Sequence, residues 1–289
     1  MHKSAGNAIE FNEAAETIGA ETMRYIFAGQ NPVNNLNFPD IHHKKKQQGK
    51  RFLDVEIRRK MLTFWNCYSF YIQYAEVDSV KPGQFDVPYE QRTRLDRWIL
   101  SRLQHLIGQA HQCFGGHQIH RFIHHWEHFV EEDLSNWYLR RSRRRFWKSE
   151  SDVDKQAAYA TLYEVLQTCA RVMAPVLPFL MEEVYQNMVR EADPDAPPSV
   201  HLLDYPQVNE ALCDADLDTN IGTVIRYKNL GLSLRNQANL KVRQPLGRVL
   251  VKPANEVERQ VLLKEDFQAM VLEELNVKAM ELVASEDEL

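Results

Sequence analysis

The stretch from Ile119 to Trp147, IHRFIHHWEHFVEEDLSNWYLRRSRRRFW, constrains this chain more than any other. Ile119, Phe122, Ile123, Trp126, Phe129, Val130, Leu134 and Trp137 recur at three- and four-residue spacing, which draws one apolar stripe along a helix. A stripe of this kind has to be covered by other elements, and the chain offers several more like it. At its end the helix turns basic, with Arg140, Arg141, Arg143, Arg144, Arg145 and Lys148 around Phe146 and Trp147. Cations near a helix C-terminus complement its dipole, yet a cap needs fewer. Two readings stand side by side. One is a solvated face balanced by Glu127, Glu131, Glu132 and Asp133 upstream. The other is a phosphate-facing surface, because clustered guanidinium groups with interleaved aromatics suit an RNA backbone and its splayed bases.

Charge decides where such a surface has to lie. The 289 residues carry 35 basic and 40 acidic side chains, a formal net charge of −5, so nothing attracts nucleic acid globally. Any RNA-binding surface is local, and 140–148 is the best local candidate. Cys67, Cys113, Cys169 and Cys213 lie more than forty residues apart. No CxxC or CxxxH pair occurs, so no zinc site is expected, and reduced cytosolic thiols are. No apolar run approaches the roughly 18 residues of a membrane span, and MHKSAGNAIEF lacks the apolar segment of a signal peptide. A cytoplasmic location is the expectation.

In chain order, Ala8–Thr17 reads as a short helix with its C-cap at Gly19. Within 39–60 the run HHKKKQQGKR reads as a basic, hinge-like loop. Ile57, Met61, Phe64, Trp65, Tyr68, Tyr71 and Ile72 predict a helix from about Val55 to Glu76, its aromatic stripe being core. Pro82, Gly83 and Pro88 mark a loop. Leu95, Trp98, Ile99, Leu103, Leu106 and Ile107 outline another helix that stops near Cys113–Gly116. On the central helix His120, His124 and His128 sit four apart, with His117 and His125 nearby. That is ligand-like spacing, but it falls on the solvent face with no carboxylate or Cys to complete a shell, so solvated histidines are expected rather than a metal. Lys155–Arg190 predicts two helices bent apart at Pro175 and Pro178. A helix over roughly 215–236, short strands at Arg248–Lys252 and Val277–Val283, and helices between them from about 255 to 275 predict a small mixed α/β appendage.

Several strings, taken in order, resemble one family. Asp133-Leu-Ser-Asn-Trp-Tyr-Leu-Arg-Arg-Ser-Arg-Arg-Arg-Phe-Trp147 resembles the signature helix of the anticodon-binding domain of isoleucyl-tRNA synthetases, class I enzymes. The related valine and leucine enzymes share the fold but not this Arg-rich run. Leu95-Asp-Arg-Trp-Ile-Leu-Ser-Arg-Leu103 and Ser199–Pro206 resemble further family strings, as do the segments at 19–24 and 31–38. Arg235-Asn-Gln-Ala-Asn-Leu-Lys-Val-Arg-Gln-Pro245 resembles a segment of the eukaryote-like branch. Met1, His2, Lys3 and Ser4, followed by Gly6 and Asn7, resemble the Lys-Met-Ser-Lys-Ser loop and its continuation, with His2 in place of the usual Ser and the leading Lys missing.

The resemblance implies a mainly α fold: a helical-bundle anticodon-binding domain at 41–206. It is preceded by the end of a catalytic domain at 1–40 and followed by an α/β extension at 207–289, read as incomplete. It implies tRNA(Ile) as partner, ATP with Mg2+ and isoleucine as substrates of the whole ligase, and no membrane. Lys3 would stabilise charge on the ATP phosphates within the loop formed by Met1, His2, Lys3 and Ser4. The tRNA contacts would come from Trp137, Arg140, Arg141, Arg143, Arg144, Arg145 and Trp147. Three rivals remain: a stand-alone RNA-binding module, a helical scaffold whose Arg run docks an acidic partner, and a methionine, valine or leucine enzyme of the same class. The Lys3 loop argues against the first two and the Arg run against the third. The chain contains no His-Ile-Gly-His motif and no Gly-rich strand–helix turn to replace it. The isolated chain is therefore expected to show no isoleucine-dependent ATP–pyrophosphate exchange, and measurable exchange would overturn that.

Overall fold

Side-chain capping starts several of the helices. The computed structural model describes residues 10–34, 53–148 and 152–285. The loop assigned to Met1, His2, Lys3 and Ser4, and most of the basic stretch after residue 39, lie outside these residues. Glu10 accepts from the amides of Asn12 and Glu13 and so starts α1, Phe11–Ile18. Gly19, at φ 94°, ends α1 and opens α2, Ala20–Gly29. Helix α3 covers Leu53–Val77. Thr93 and Asp96 form a reciprocal capping box at the start of α4, Arg94–Gly115. The central helix follows as α5, Ile119–His128, a π-helical stretch, Phe129–Leu139, and α6, Arg140–Trp147. Asp152 caps α7, Val153–Met173, and Pro178 takes the first turn of α8, Pro178–Tyr185.

The bend at the proline pair is held from outside its own helices. Arg24 on α2 donates to the carbonyls of Val176 (3.0 Å) and Pro175 (3.1 Å). Glu21, one turn earlier, accepts from the amides of Phe179 (2.6 Å) and Leu180 (3.3 Å). A carboxylate supplied by α2 thus caps α8, whose own N-cap residue, Leu177, has no side chain able to do so. Burial at this junction raises the Glu21 pKa above its ordinary value, against the lowering effect of the two amides.

Chain-wide, the fold divides into two compact units, Met1–Cys213 and Asp214–Leu289. The first is the helical bundle. Its core is strongly aromatic: Phe146 stands edge-on to Tyr159 (4.8 Å between ring centres) and to Phe70 (5.1 Å), and Phe64 packs on Trp126 at 5.3 Å. The expected α3 stripe is core at Ile57, Phe64, Tyr68 and Tyr71, while Met61, Trp65 and Ile72 are only half-buried. The second unit packs α9, Ala215–Gln237, against α10, Glu256–Leu262, and α11, Glu265–Leu275. Strands β1, Val249–Val251, and β2, Met280–Leu282, pair in parallel with Val249 opposite Met280. The mainly α fold is what the resemblance implies, and the small α/β appendage is what the spacing predicts. Among the described residues no helix is long and apolar enough to cross a membrane.

Close helix contact in the second unit depends on one glycine. A Cβ on Gly231 of α9 would meet Leu275 Cδ1 at 2.5 Å, and Leu275 is buried. Gly231→Val is expected to destabilise the second unit by about 1–3 kcal/mol. Gly231→Ala should cost less, since alanine recovers up to about 1 kcal/mol of helix propensity. Urea titrations followed by far-UV circular dichroism check the ordering.

Candidate nucleic-acid interface

The central helix does not keep one pitch. From Phe129 to Leu139 it is a π-helix, closing hydrogen bonds five residues back, and the Arg140 amide that ends it reaches the Ser135 carbonyl. The buried residues shift their spacing accordingly: Phe129 and Leu134, Asp133 and Tyr138, and Trp137 and Ser142 are each five apart and all buried. Three consecutive residues, Trp137, Tyr138 and Leu139, face inward, which an α-helix does not permit on a narrow stripe. The three- and four-residue pattern seen in the sequence therefore predicts the helix but not its change of pitch. It also places Ile119 in the core, whereas Ile119 is exposed at the start of α5.

A buried carboxylate fixes the end of this helix. Asp96, fully buried in the capping box of α4, accepts from Thr93 Oγ1 (2.7 Å), from the Tyr138 hydroxyl (2.8 Å) and from both Nη atoms of Arg145 (2.7 and 2.8 Å). Arg145 reaches onward to the Asp154 carboxylate (2.8 Å) and carbonyl (2.8 Å) at the start of α7. Burial, with the Asp96 charge beside it, pushes the Tyr138 hydroxyl pKa well above 10.0, so it stays a donor. The hydrogen bonds and charge from Asp96 outweigh burial at Arg145 and hold it protonated. One carboxylate thus joins α4, the π-helical stretch and α6, and its Arg partner adds α7. Two further bridges run alongside: Arg102 donates to buried Asp133 (3.0 Å), and the Lys155 ammonium pairs with Asp78 (2.7 Å).

This hub sorts the arginine run. The resemblance implies RNA contacts from Arg145 and Trp137. Instead Arg145 is spent inside the fold, and Trp137, 1% exposed, offers no ring face to a base. Arg141 is half-buried with its guanidinium 5.1 Å from the Trp137 ring centre. Arg140, Arg143, Arg144 and Trp147 remain, and all four are exposed. They stand three and four residues apart on α6 and therefore share one face, opposite buried Ser142 and Phe146. Trp147 is 59% exposed, and its ring is held by a 2.7 Å hydrogen bond from its Nε1 to the Tyr74 hydroxyl. Among the described residues no carboxylate lies within 4.0 Å of Arg143 or Arg144.

Three of the four acidic residues upstream have partners on other elements. Glu127 pairs with Lys60 (2.8 Å) and accepts from Tyr25 (3.2 Å), Glu131 lies 3.9 Å from Arg59, and Asp133 belongs to Arg102. Of the five histidines around α5, His117, His124 and His128 are exposed, while His120 and His125 are half-buried. His124 and His128 lie 3.8 Å from Glu127 and 4.0 Å from Asp133 respectively, and burial followed by the two neighbouring histidines lowers the His125 pKa. Among the described residues no group of three ligand-type side chains is arranged for a metal. Sequence reasoning missed Asp96 and Tyr138. Thr93-x-x-Asp96 before an apolar run carried a capping signal for the first, and nothing local marked the second.

Removing one partner of a buried pair leaves the other charge uncompensated. Asp96→Ala and Arg145→Ala are each expected to destabilise the first unit by about 3–5 kcal/mol. The double change Arg143→Ala/Arg144→Ala should move stability by no more than about 0.5 kcal/mol per site. Urea unfolding of the three variants separates the structural arginine from the exposed ones.

A family model described as "Anticodon-binding domain of tRNA ligase" matches residues 96–251. The isoleucine–tRNA ligase of Dehalococcoides mccartyi (strain 195) is 41% identical over 280 residues, which cover 97% of this chain and 26% of that protein. The isoleucine–tRNA ligase of Thermus thermophilus is 36% identical over 291 residues, covering 100% of this chain and 27% of that one. The chain thus spans about a quarter of the length of the curated relatives it matches. Among solved structures, the LeuRS of Agrobacterium radiobacter K84, in a ternary complex with tRNA and LeuAMS, shares the fold at TM-score 0.54 and 16% identity, covering 75% of this chain and 23% of that chain. Matched by the family model over more than half of its length, this chain belongs to the anticodon-binding domain family of tRNA ligases.

Proposed function

We propose that this chain is the tRNA-binding portion of an isoleucine–tRNA ligase, acting in the cytoplasm. The observation that carries the proposal is the α6 face: three arginines and a tryptophan, exposed together on a helix whose rotation is fixed by the Asp96–Arg145 pair. Guanidinium forks suit phosphate oxygens, and an exposed indole edge-anchored to Tyr74 suits stacking on an unpaired base. The tRNA-facing set is then Arg140, Arg143, Arg144 and Trp147. Arg141, Arg145 and Trp137 position it from behind. The relatives' shared name supports tRNA(Ile) as the partner.

The ligase reaction consumes ATP with Mg2+ to activate isoleucine before transfer to the tRNA. Lys3, within Met1–Ser4, is the residue of this chain proposed to meet the ATP phosphates. The contribution of the described residues is to hold the tRNA, a matter of placement and charge complementarity rather than proton transfer.

Filter binding of the purified chain to tRNA(Ile), and to the same tRNA with a swapped anticodon, across a salt series tests the reading. The expected result is a preference for the isoleucine anticodon with a steep salt dependence. Arg143→Ala/Arg144→Ala should lower the log–log slope by roughly 1.4–1.8, about 0.7–0.9 for each phosphate no longer neutralised. Equal, weak binding of both tRNAs, untouched by the double change, would overturn it.

A further inference from the structure

We propose that the loop from Ala238 to Pro245, in the second unit, is a separate and pre-organised RNA-backbone contact, with Lys241 and Arg243 as its phosphate-binding side chains. Charge points to it first. From Thr219 to Asn255 the sequence contains seven Lys and Arg residues and no Asp or Glu, in a chain whose net charge is −5. Random interspersion of 40 acidic residues over 289 would place about five of them in such a stretch. This segment runs through most of α9, the loop and β1; Arg226 pairs with Glu258 and Arg248 with Glu281, while Lys241 and Arg243 stand together in the loop.

The build of the loop is the second argument. Arg235, the last basic residue of α9, is 4% exposed, and its guanidinium donates to the carbonyls of Lys241 (3.2 Å) and Asn276 (3.2 Å). The Asn276 side chain donates to the Val242 carbonyl (2.9 Å), from a residue itself held at φ 50°. The Leu240 amide returns to the Arg235 carbonyl (2.8 Å) across Asn239 at φ 55°, and the Gln244 amide returns to the Lys241 carbonyl (2.9 Å). Leu246 then joins the main chain beside β2 through the Asn276 carbonyl (3.1 Å). Main-chain groups on both sides of the turn are therefore tied down, and desolvating a guanidinium to do so is costly.

The turn itself contributes no side chain to the core. Every side chain from Lys241 to Pro245 is exposed. Among the described residues no carboxylate lies within 4.0 Å of Lys241 or Arg243, whereas Arg248 beyond the loop is paired with Glu281 at 3.2 Å. A rigid turn that displays two cations two residues apart meets a polyanion with little further loss of conformational freedom. The partner rests on the function proposed above. A regular array of phosphates is the matching chemistry, and tRNA is the source to which that reading commits the loop.

The test uses the full chain and tRNA(Ile) in the same salt series. Lys241→Ala/Arg243→Ala should weaken binding about tenfold near 0.1 M salt and lower the slope by roughly 1.4–1.8. Its melting curve should match the parent, because neither side chain holds the fold. Arg259→Ala/Lys264→Ala removes the same charge from the same unit away from the loop and should leave affinity within about twofold. If the loop pair binds like the parent while Arg143→Ala/Arg144→Ala weakens binding, the loop proposal is overturned and the function stands. An equal loss from both second-unit pairs also overturns it, because the effect is then net charge rather than contact. If the parent chain shows no salt-dependent tRNA binding, both proposals fall together.

Discussion

The bundle depends on one desolvated carboxylate. Asp96 is fully buried, so its acceptor positions have to be filled by the fold, and the donors come from its own cap residue, from the π-helical stretch and from α6. A buried ion pair of this kind adds little net stability compared with an apolar contact of the same volume. What it supplies is geometry. A bidentate guanidinium accepts only a narrow range of orientations, so Arg145 fixes the rotation of α6 about its own axis. Phe146, wedged between Phe70 and Tyr159, fixes the same rotation from the neighbouring position. With 145 and 146 turned inward, 140, 143, 144 and 147 have to face outward. The identity of the exposed arginines is therefore a consequence of the buried one.

The π-helical stretch makes that arrangement compatible with the rest of the helix. α5 buries Phe122, Ile123 and Trp126, and α6 buries Ser142 and Phe146. A continuous α-helix accumulates phase at a constant rate and does not bring both sets to the same side while also burying Trp137, Tyr138 and Leu139 in a row. Five-residue closure slows the turn over Phe129–Leu139 and lets the inward face widen there, where α3 and α4 both press on it. Weaker hydrogen-bond geometry is the cost. The aromatic pair Trp137 and Tyr138, both buried, offsets it.

How much of this was legible in the sequence follows from the range of each interaction. Helix α4 was readable because its signal is local, apolar residues at helical spacing from Leu95 to Ile107. The break at Pro175 and Pro178 was readable for the same reason. The basic face was visible as composition, but its division was not. Arg145 and Arg143 are alike as letters and differ only in having Asp96, 49 residues away, within reach. Trp137 and Trp147 differ likewise, one enclosed by the bundle and the other left at its edge. The acidic run misled in the opposite direction. Glu127 and Asp133 look like counter-charges for the arginines downstream, yet Lys60 and Arg102, distant in sequence, take them first. Change of pitch left no signature, since three- and four-residue spacing holds through Trp137 in either helix.

The two units repeat one solution to a shared electrostatic problem. A chain with net negative charge binds a polyanion only where its cations are kept from its own carboxylates. Proximity in sequence does not achieve that, because flexible side chains find counter-ions. In the first unit Arg145 takes Asp96 and Asp154, and α2, α3 and α4 supply partners for Glu127, Glu131 and Asp133. In the second unit the segregation is already in the sequence, and buried Arg235 spends its charge on carbonyls to hold the turn that carries Lys241 and Arg243. In each case one arginine is consumed as structure while other cations close to it in sequence, Arg143 and Arg144 or Lys241 and Arg243, stay exposed. A lysine would serve poorly in either buried position, since a single ammonium does not span two oxygens in a fixed plane. The count of arginines in such a chain therefore overstates its RNA contacts, and burial is what separates the two roles.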